Sequence, residues 1–210
     1  MLCIINMKIN YLNYFIVLVS FIGFLHFYSC DSAVYDKKSL DKLINKESIK
    51  SQRYDSIIYG VKFGMTHEDF HYYTLRKNRE GLFFPSRGGS MVKVDINSGF
   101  DYPIEFHFFP STTDERFTSI AKFKSIVSYK NHSIYNKEMS LKNLLDQTLR
   151  FFEEGYKGNN FIKVLNNDDI FVNYNYIKID ANRMITIKPS YPLNRLDILF
   201  EDLRPMEKIE

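Results

Sequence analysis

His67-Glu-Asp-Phe-His71 carries the most specific chemistry that any run of this chain spells out. On a helix, H-E-x-x-H places two imidazoles one turn apart to ligate Zn²⁺, and the glutamate activates the metal-bound water for hydrolysis. Three features weigh against that reading. His67 would stand immediately after a helix cap, whereas a working site sits within a continuous helix. Glu105 and His107 lie on a predicted strand and Glu80 follows His71 by nine residues, so no third ligand stands at a familiar spacing. A later stretch that matches this one has Leu141, Lys142 and Leu145 in the three slots, which marks His67 and His71 as core-facing helix positions. The expectation is no catalytic residue, no metal and no cofactor, with a zinc-dependent hydrolase built on His67, Glu68 and His71 as the alternative.

Other runs are weaker. Ser86-Arg-Gly-Gly-Ser90 is glycine-rich but lacks the Lys-Ser/Thr and the following helix of a phosphate-binding loop, and reads as a turn. Asn166-Asn-Asp-Asp169 lacks the alternating ligands of a calcium loop and reads as hairpin chemistry. Asn131-His-Ser fits a glycosylation sequon by pattern alone. No Ser–His–Asp grouping can be assigned from the sequence.

The two histidines belong to Met65–Gly81, and that stretch recurs 74 positions on as Met139–Gly155 with six of seventeen residues identical. Thr66 and Ser140 are predicted N-caps, Asp69 completes a capping box and Asn143 substitutes for it less well. Met65 with Phe70, and Met139 with Leu144, are spaced as hydrophobic staples. Gly81 and Gly155 are predicted to end the helices in left-handed conformation. Leu141, Leu144, Leu145, Leu149 and Phe152 mark the buried face of the second helix. Two later blocks match in the same order: Val92–Asn97 with Ile177–Asn182, and Asp101–Ile104 with Ser190–Leu193. Three ordered matches predict a diverged tandem duplication.

Residues 1–30 read as an export segment, with Met7 and Lys8 ahead of an apolar core, Phe15–Phe24. The segment ends Phe27-Tyr-Ser-Cys30, where Ser29 and Cys30 resemble the lipobox of bacterial lipoproteins; Phe27 and Tyr28 depart from its usual residues. The resemblance implies a lipid on Cys30 and an anchored protein of the bacterial cell envelope, in the outer membrane or on the periplasmic face. An uncleaved anchor over Tyr11–Tyr28 is the other reading, and both put the folded part outside the cytoplasmic membrane.

Beyond Cys30 there is no cysteine, which excludes disulfides, iron–sulfur clusters and thiolate zinc sites there. Setting aside Lys8 leaves 27 basic and 25 acidic residues, a balance that gives no reason to expect nucleic acid. Residues 31–56 are polar and read as a flexible tether with a helical turn near Ser39–Ile44. One domain is expected over 57–203, in two repeats at 57–129 and 130–203, with a tail at 204–210. Its predicted strands are Ile57–Phe63, Met91–Ile96, Ile104–Phe109, Phe117–Tyr129, Phe161–Leu165, Ile170–Tyr174, Tyr176–Ile179, Met184–Lys188 and Leu196–Phe200. The 11 residues from Gly81 to Val92 become 22 from Gly155 to Ile177, which predicts one more strand in the second copy.

The order of helix and then meander, twice, predicts an α+β fold with the helices on one face of an antiparallel sheet. Gly64-Met-Thr66 after a strand, with that repeated order, resembles the tandem-repeat envelope domains typified by the beta-lactamase-inhibitor protein and the SmpA/OmlA lipoproteins. The expected function is a noncatalytic binding or scaffold module whose partner is another envelope protein, a peptide or a glycan. Tyr174 and Tyr176 are the expected contact residues.

Overall fold

The structure is a computed structural model that describes residues 34–86, 91–111, 119–166 and 173–204. The chain divides into two compact units, Met1–Ala33 and Val34–Glu210, and all described residues belong to the second. Cys30 and the export segment lie outside them, as do residues 87–90 of the glycine-rich run, 167–169 of the Asn-Asp turn and 205–210 of the tail.

The fold is α+β. Strand β1 (Val34–Tyr35) and helix α1 (Lys37–Ser48) precede a small hairpin, β2 (Ser56–Ile58) and β3 (Val61–Lys62). Helix α2 (His67–Arg79) leads into β4 (Phe84–Pro85), β5 (Val92–Ile96), β6 (Ile104–Pro110) and β7 (Lys122–Tyr129). Helix α3 (Leu141–Gly155) leads into β8 (Ile162–Leu165), β9 (Tyr174–Asp180), β10 (Arg183–Ser190) and β11 (Arg195–Asp202). Nine strands form one sheet in the order β1-β8-β9-β10-β11-β7-β6-β5-β4. Among the described residues only the β1–β8 pairing is parallel, so the sheet is mixed rather than wholly antiparallel. Each half is a helix followed by a four-stranded meander, and the last strands of the two meanders, β7 and β11, meet at the middle. Among the described residues the second half adds length to its strands but no strand. Of its expected pair at Ile170–Tyr174 and Tyr176–Ile179, residues 170–172 lie outside the described residues, and Tyr174 runs on into Tyr176–Ile179 as one strand, because Asn175 pairs with Val164 in an unbroken ladder.

Both helix starts follow local chemistry. Thr66 Oγ1 accepts from Asp69 N–H at 3.0 Å while the Asp69 carboxylate returns to the Thr66 backbone, closing a capping box. Ser140 Oγ accepts from Asn143 N–H at 3.2 Å, but the Asn143 amide turns to the Glu138 carbonyl, so the second cap is single. Gly81 (φ 72°) ends α2 as expected. Gly155 does not play that part: it is the last helical residue of α3, and the left-handed positions near by belong to Gly158 instead. The main core lies between α2 and α3 and one face of the sheet, with Phe70, Phe108, Phe123, Phe152 and Phe200 among its rings.

The expected tether over 31–56 is folded throughout its described part. Leu40, Leu43 and Ile44 of α1 pack on Val164, Ile177 and Ile179, which face away from the main core. Helices therefore cover both faces of the sheet: α2 and α3 on one, α1 on the β8–β9 end of the other. Glu47, buried, accepts from Lys50 Nζ at 2.7 Å and from Ala181 N–H at 3.2 Å. Arg53 pairs with the buried Asp202, and Arg204 donates to the carbonyls of Lys50 (2.6 Å) and Gln52 (2.5 Å). Polarity hid this segment because Glu47, Arg53 and Asp55 are paired within the fold, while Lys37, Lys38, Asp41, Lys42 and Lys46 lie on the exposed side of α1.

Burial alone would raise the Glu47 pKa, but the bonds from Lys50 and the Ala181 N–H outweigh it and hold the carboxyl below its ordinary 4.5. A depressed folded pKa stabilises fully above the unfolded value and is lost as pH falls through the folded one. Acid titration followed by circular dichroism is expected to loosen α1 below about pH 4.5, and Glu47→Gln should remove that part of the acid sensitivity.

The matching sequence blocks do not occupy matching places. Val92–Ile96 and Ile177–Asp180 both fall on the second strand of their meander. Val94 and Ile96 nevertheless face the main core with Lys93 and Asp95 outside, whereas Lys178 and Asp180 face the core and Ile177 and Ile179 lie under α1. A one-residue shift in register inverts the faces of a strand, and the two blocks differ by that shift. Asp101-Tyr-Pro precedes β6, while Ser190-Tyr-Pro ends β10, which are different hairpins.

Candidate functional site

The structure places His67, Glu68 and His71 on the exposed side of α2, with Phe70 as that helix's one buried residue. The inward position expected for the two imidazoles is corrected: Phe70 takes it, packing on Phe108 (6.2 Å) and Phe123 (5.6 Å). No group of three His, Cys, Asp or Glu that could hold a metal occurs among the described residues. Tyr174 and Tyr176 are half-buried on the main-core face, with Tyr176 packed against that core.

The sheet brings together one trio that the sequence leaves scattered. Ser86 Oγ lies 3.0 Å from His107 Nδ1, and His107 Nε2 lies 3.4 Å from Glu105 Oε2. Nucleophilic catalysis needs such a chain and also donors where negative charge develops. Here the Ser86 N–H is committed to the Met91 carbonyl at 3.0 Å, and Glu105 is drawn toward Lys93 at 3.0 Å. Burial would raise the Glu105 pKa, but Lys93 more than offsets it. The same lysine and Lys130 hold Asp95 low against its own burial. The trio is part of an ion-pair lattice on the outer sheet face.

A built pocket lies beside it, at the β5 edge. Ile57–Phe63, expected as one strand, is a hairpin because Tyr59 (φ 48°) and Gly60 (φ 81°) turn the chain in left-handed conformation. Such a φ is rare for a bulky residue and marks a place held by its surroundings. Tyr73 Oη donates to the Tyr59 carbonyl at 2.6 Å, and a Cβ on residue 60 would overlap that hydroxyl. Both tyrosines pack edge-on to buried Phe83, at 6.4 Å and 6.2 Å. After Gly81, the N–H groups of Leu82 and Phe83 donate to the Lys77 carbonyl (3.0 and 3.2 Å), and Asn78 Nδ2 donates to the Phe83 carbonyl at 2.7 Å. These bonds steer the chain away from β5 before β4 begins. They leave a cavity of about 560 Å³ lined by Tyr59, Tyr73, Leu82, Phe84, Asp95 and Asn97. Leu82 is 53% exposed, Tyr59 42% and Phe84 40%.

The volume is that of a small-ligand or side-chain pocket. Its charged lining is balanced, since Lys77 pairs with Glu80 at 2.6 Å and Asp95 with Lys93 and Lys130. A shallower depression of about 410 Å³ lies on the outer sheet face over Phe109, Ile126 and Leu199. It is a flat sheet surface whose backbone is fully paired, whereas the edge pocket adjoins unpaired strand. Sequence reasoning missed the pocket, and its one signal was Gly60 within an apolar run.

No known protein family, curated protein or solved structure matches this chain. Among the described residues, no helix is long and apolar enough to cross a membrane.

Proposed function

We propose that this protein is a noncatalytic binding module of the bacterial cell envelope, anchored through a lipid on Cys30, that takes its partner in the aromatic pocket at the β5 edge. The pocket itself carries the reading: rigid aromatic walls, exposed apolar rims and no unbalanced charge among its lining residues. Aromatic walls of this kind give a partner contact area at little entropic cost. The alternative zinc hydrolase has His67 and His71 one turn apart on an exposed helix face, with no third ligand grouped with them among the described residues.

We also read the two halves as diverged copies. The support is topological, two helix-plus-meander units meeting at β7 and β11, together with the helix starts 74 positions apart.

A photo-crosslinking residue at position 82 is expected to capture an envelope partner in cells, and one at exposed Tyr135 is not. Leu82→Glu should weaken partner binding about tenfold or more with the fold intact. Equal capture at both positions, or binding indifferent to Leu82→Glu, would refute the pocket. Palmitate-analogue labelling should be lost in Cys30→Ala; label that persists would refute the anchor.

A further inference from the structure

Strand β4 pairs with β5 at only two places, Phe84 with Lys93 and Pro85 with Val92. Past Lys93, no strand lies along the outer edge of β5 among the described residues. The Ser86 N–H to Met91 carbonyl bond shows which residues turn their backbone outward. Alternation along an antiparallel strand gives Met91, Lys93, Asp95 and then Asn97. Asp95 therefore turns its N–H and C=O to the edge with no described strand to pair them, and Asp95 and Asn97 both line the cavity.

We propose that the ligand of this pocket is an extended peptide segment that adds to the sheet as a strand alongside Asp95 of β5, with one large uncharged side chain seated against Tyr59, Leu82 and Phe84. The inference rests on the pocket reading and adds the occupant's chemistry. An exposed strand edge offers alternating donors and acceptors that another extended backbone satisfies in register. Side chains of an added strand alternate between the two faces, so one side chain can enter a cavity beside the edge. The side chain is uncharged because Lys77 and Asp95 are already neutralised by Glu80, Lys93 and Lys130. It is large because a cavity of about 560 Å³ with aromatic walls has room for a ring. Lys93 cannot serve a newcomer, since Phe84 already pairs with it. The docking register thus begins at Asp95.

The test uses peptides selected on the folded protein from a displayed random library. Selected peptides should share a large apolar or aromatic residue and bind the Leu82→Glu variant at least about tenfold more weakly. Amide exchange read by NMR should slow about tenfold or more at Asp95 on binding, and N-methylation of the peptide's central amides should abolish affinity. Peptides that need Leu82 yet leave Asp95 exchange unchanged and tolerate N-methylation would overturn strand addition while leaving the pocket standing. Failure to select any peptide that depends on Leu82 would overturn both. Protection of Asp95 that grows with protein concentration alone would assign the edge to a second copy of this chain and overturn the peptide.

Discussion

Asp180→Ala is expected to destabilise the protein by about 3–5 kcal/mol, the usual cost of removing one partner from a buried ion pair. The Asp180 carboxylate is 2% exposed and accepts from Arg183 at 3.0 Å and from the Asn159 N–H at 2.8 Å, with Lys178 Nζ at 3.3 Å. Lys178 is 1% exposed, and its ammonium also reaches the Asn159 carbonyl. Arg183 lies between the rings of Tyr54 and Tyr156, at 5.0 Å and 4.2 Å, and donates to the Ser56 carbonyl at 3.1 Å. Alanine would strand two buried cations. Lys178→Met should cost clearly less, because Asp180 keeps Arg183 and methionine fills the space of the lysine stem. Denaturant unfolding of the two variants decides the point; equal losses would mean that lysine and aspartate contribute as a matched pair and Arg183 does not share the carboxylate.

Phe152→Ala should cost a similar amount, about 3–5 kcal/mol. The Phe152 side chain is wholly buried and meets Phe151 (5.5 Å), Tyr156 (5.6 Å) and Phe200 (5.7 Å). Removing it opens a void where α3 sits on β11. Phe152→Leu should recover much of the loss, measured in the same unfolding experiment. A matching truncation in α2 has only Phe70 to act on, because Tyr72 and Leu75 are exposed. Helix α2 thus leaves Tyr72 and Leu75 exposed, and it meets the pocket through Tyr73 and Lys77.

Local chemistry was legible in the sequence wherever a few neighbouring residues decide the outcome. The caps at Thr66 and Ser140 and the apolar face of α3 are set by spacing alone, and the structure has them. What depended on distant partners was not legible. Asp36–Ser56 offers only Leu40, Leu43 and Ile44 as a stripe, and its polar hold on the sheet, including Glu47 with Ala181, Arg53 with Asp202 and Tyr54 with Asn182, reaches more than a hundred residues away. The alternation Ile177-Lys-Ile-Asp180 names two faces without saying which is wet, and here neither is. The pocket depends on where β4 stops pairing, which is set by the Lys77 and Asn78 bonds to the chain after Gly81. Ser86 meets Glu105 and His107 of β6 only because its bond to Met91 and the β5–β6 register align it with them across β5.

The sheet order also sets a reach. The chain enters the folded unit at β1, and β5 lies seven strands further across. At about 4.8 Å per strand, that is roughly 34 Å from the entry strand to the free edge, before twist shortens it. With the N-terminal anchor proposed above, the sheet would be a spacer arm, and the proposed ligand would be met about 34 Å from the point of entry.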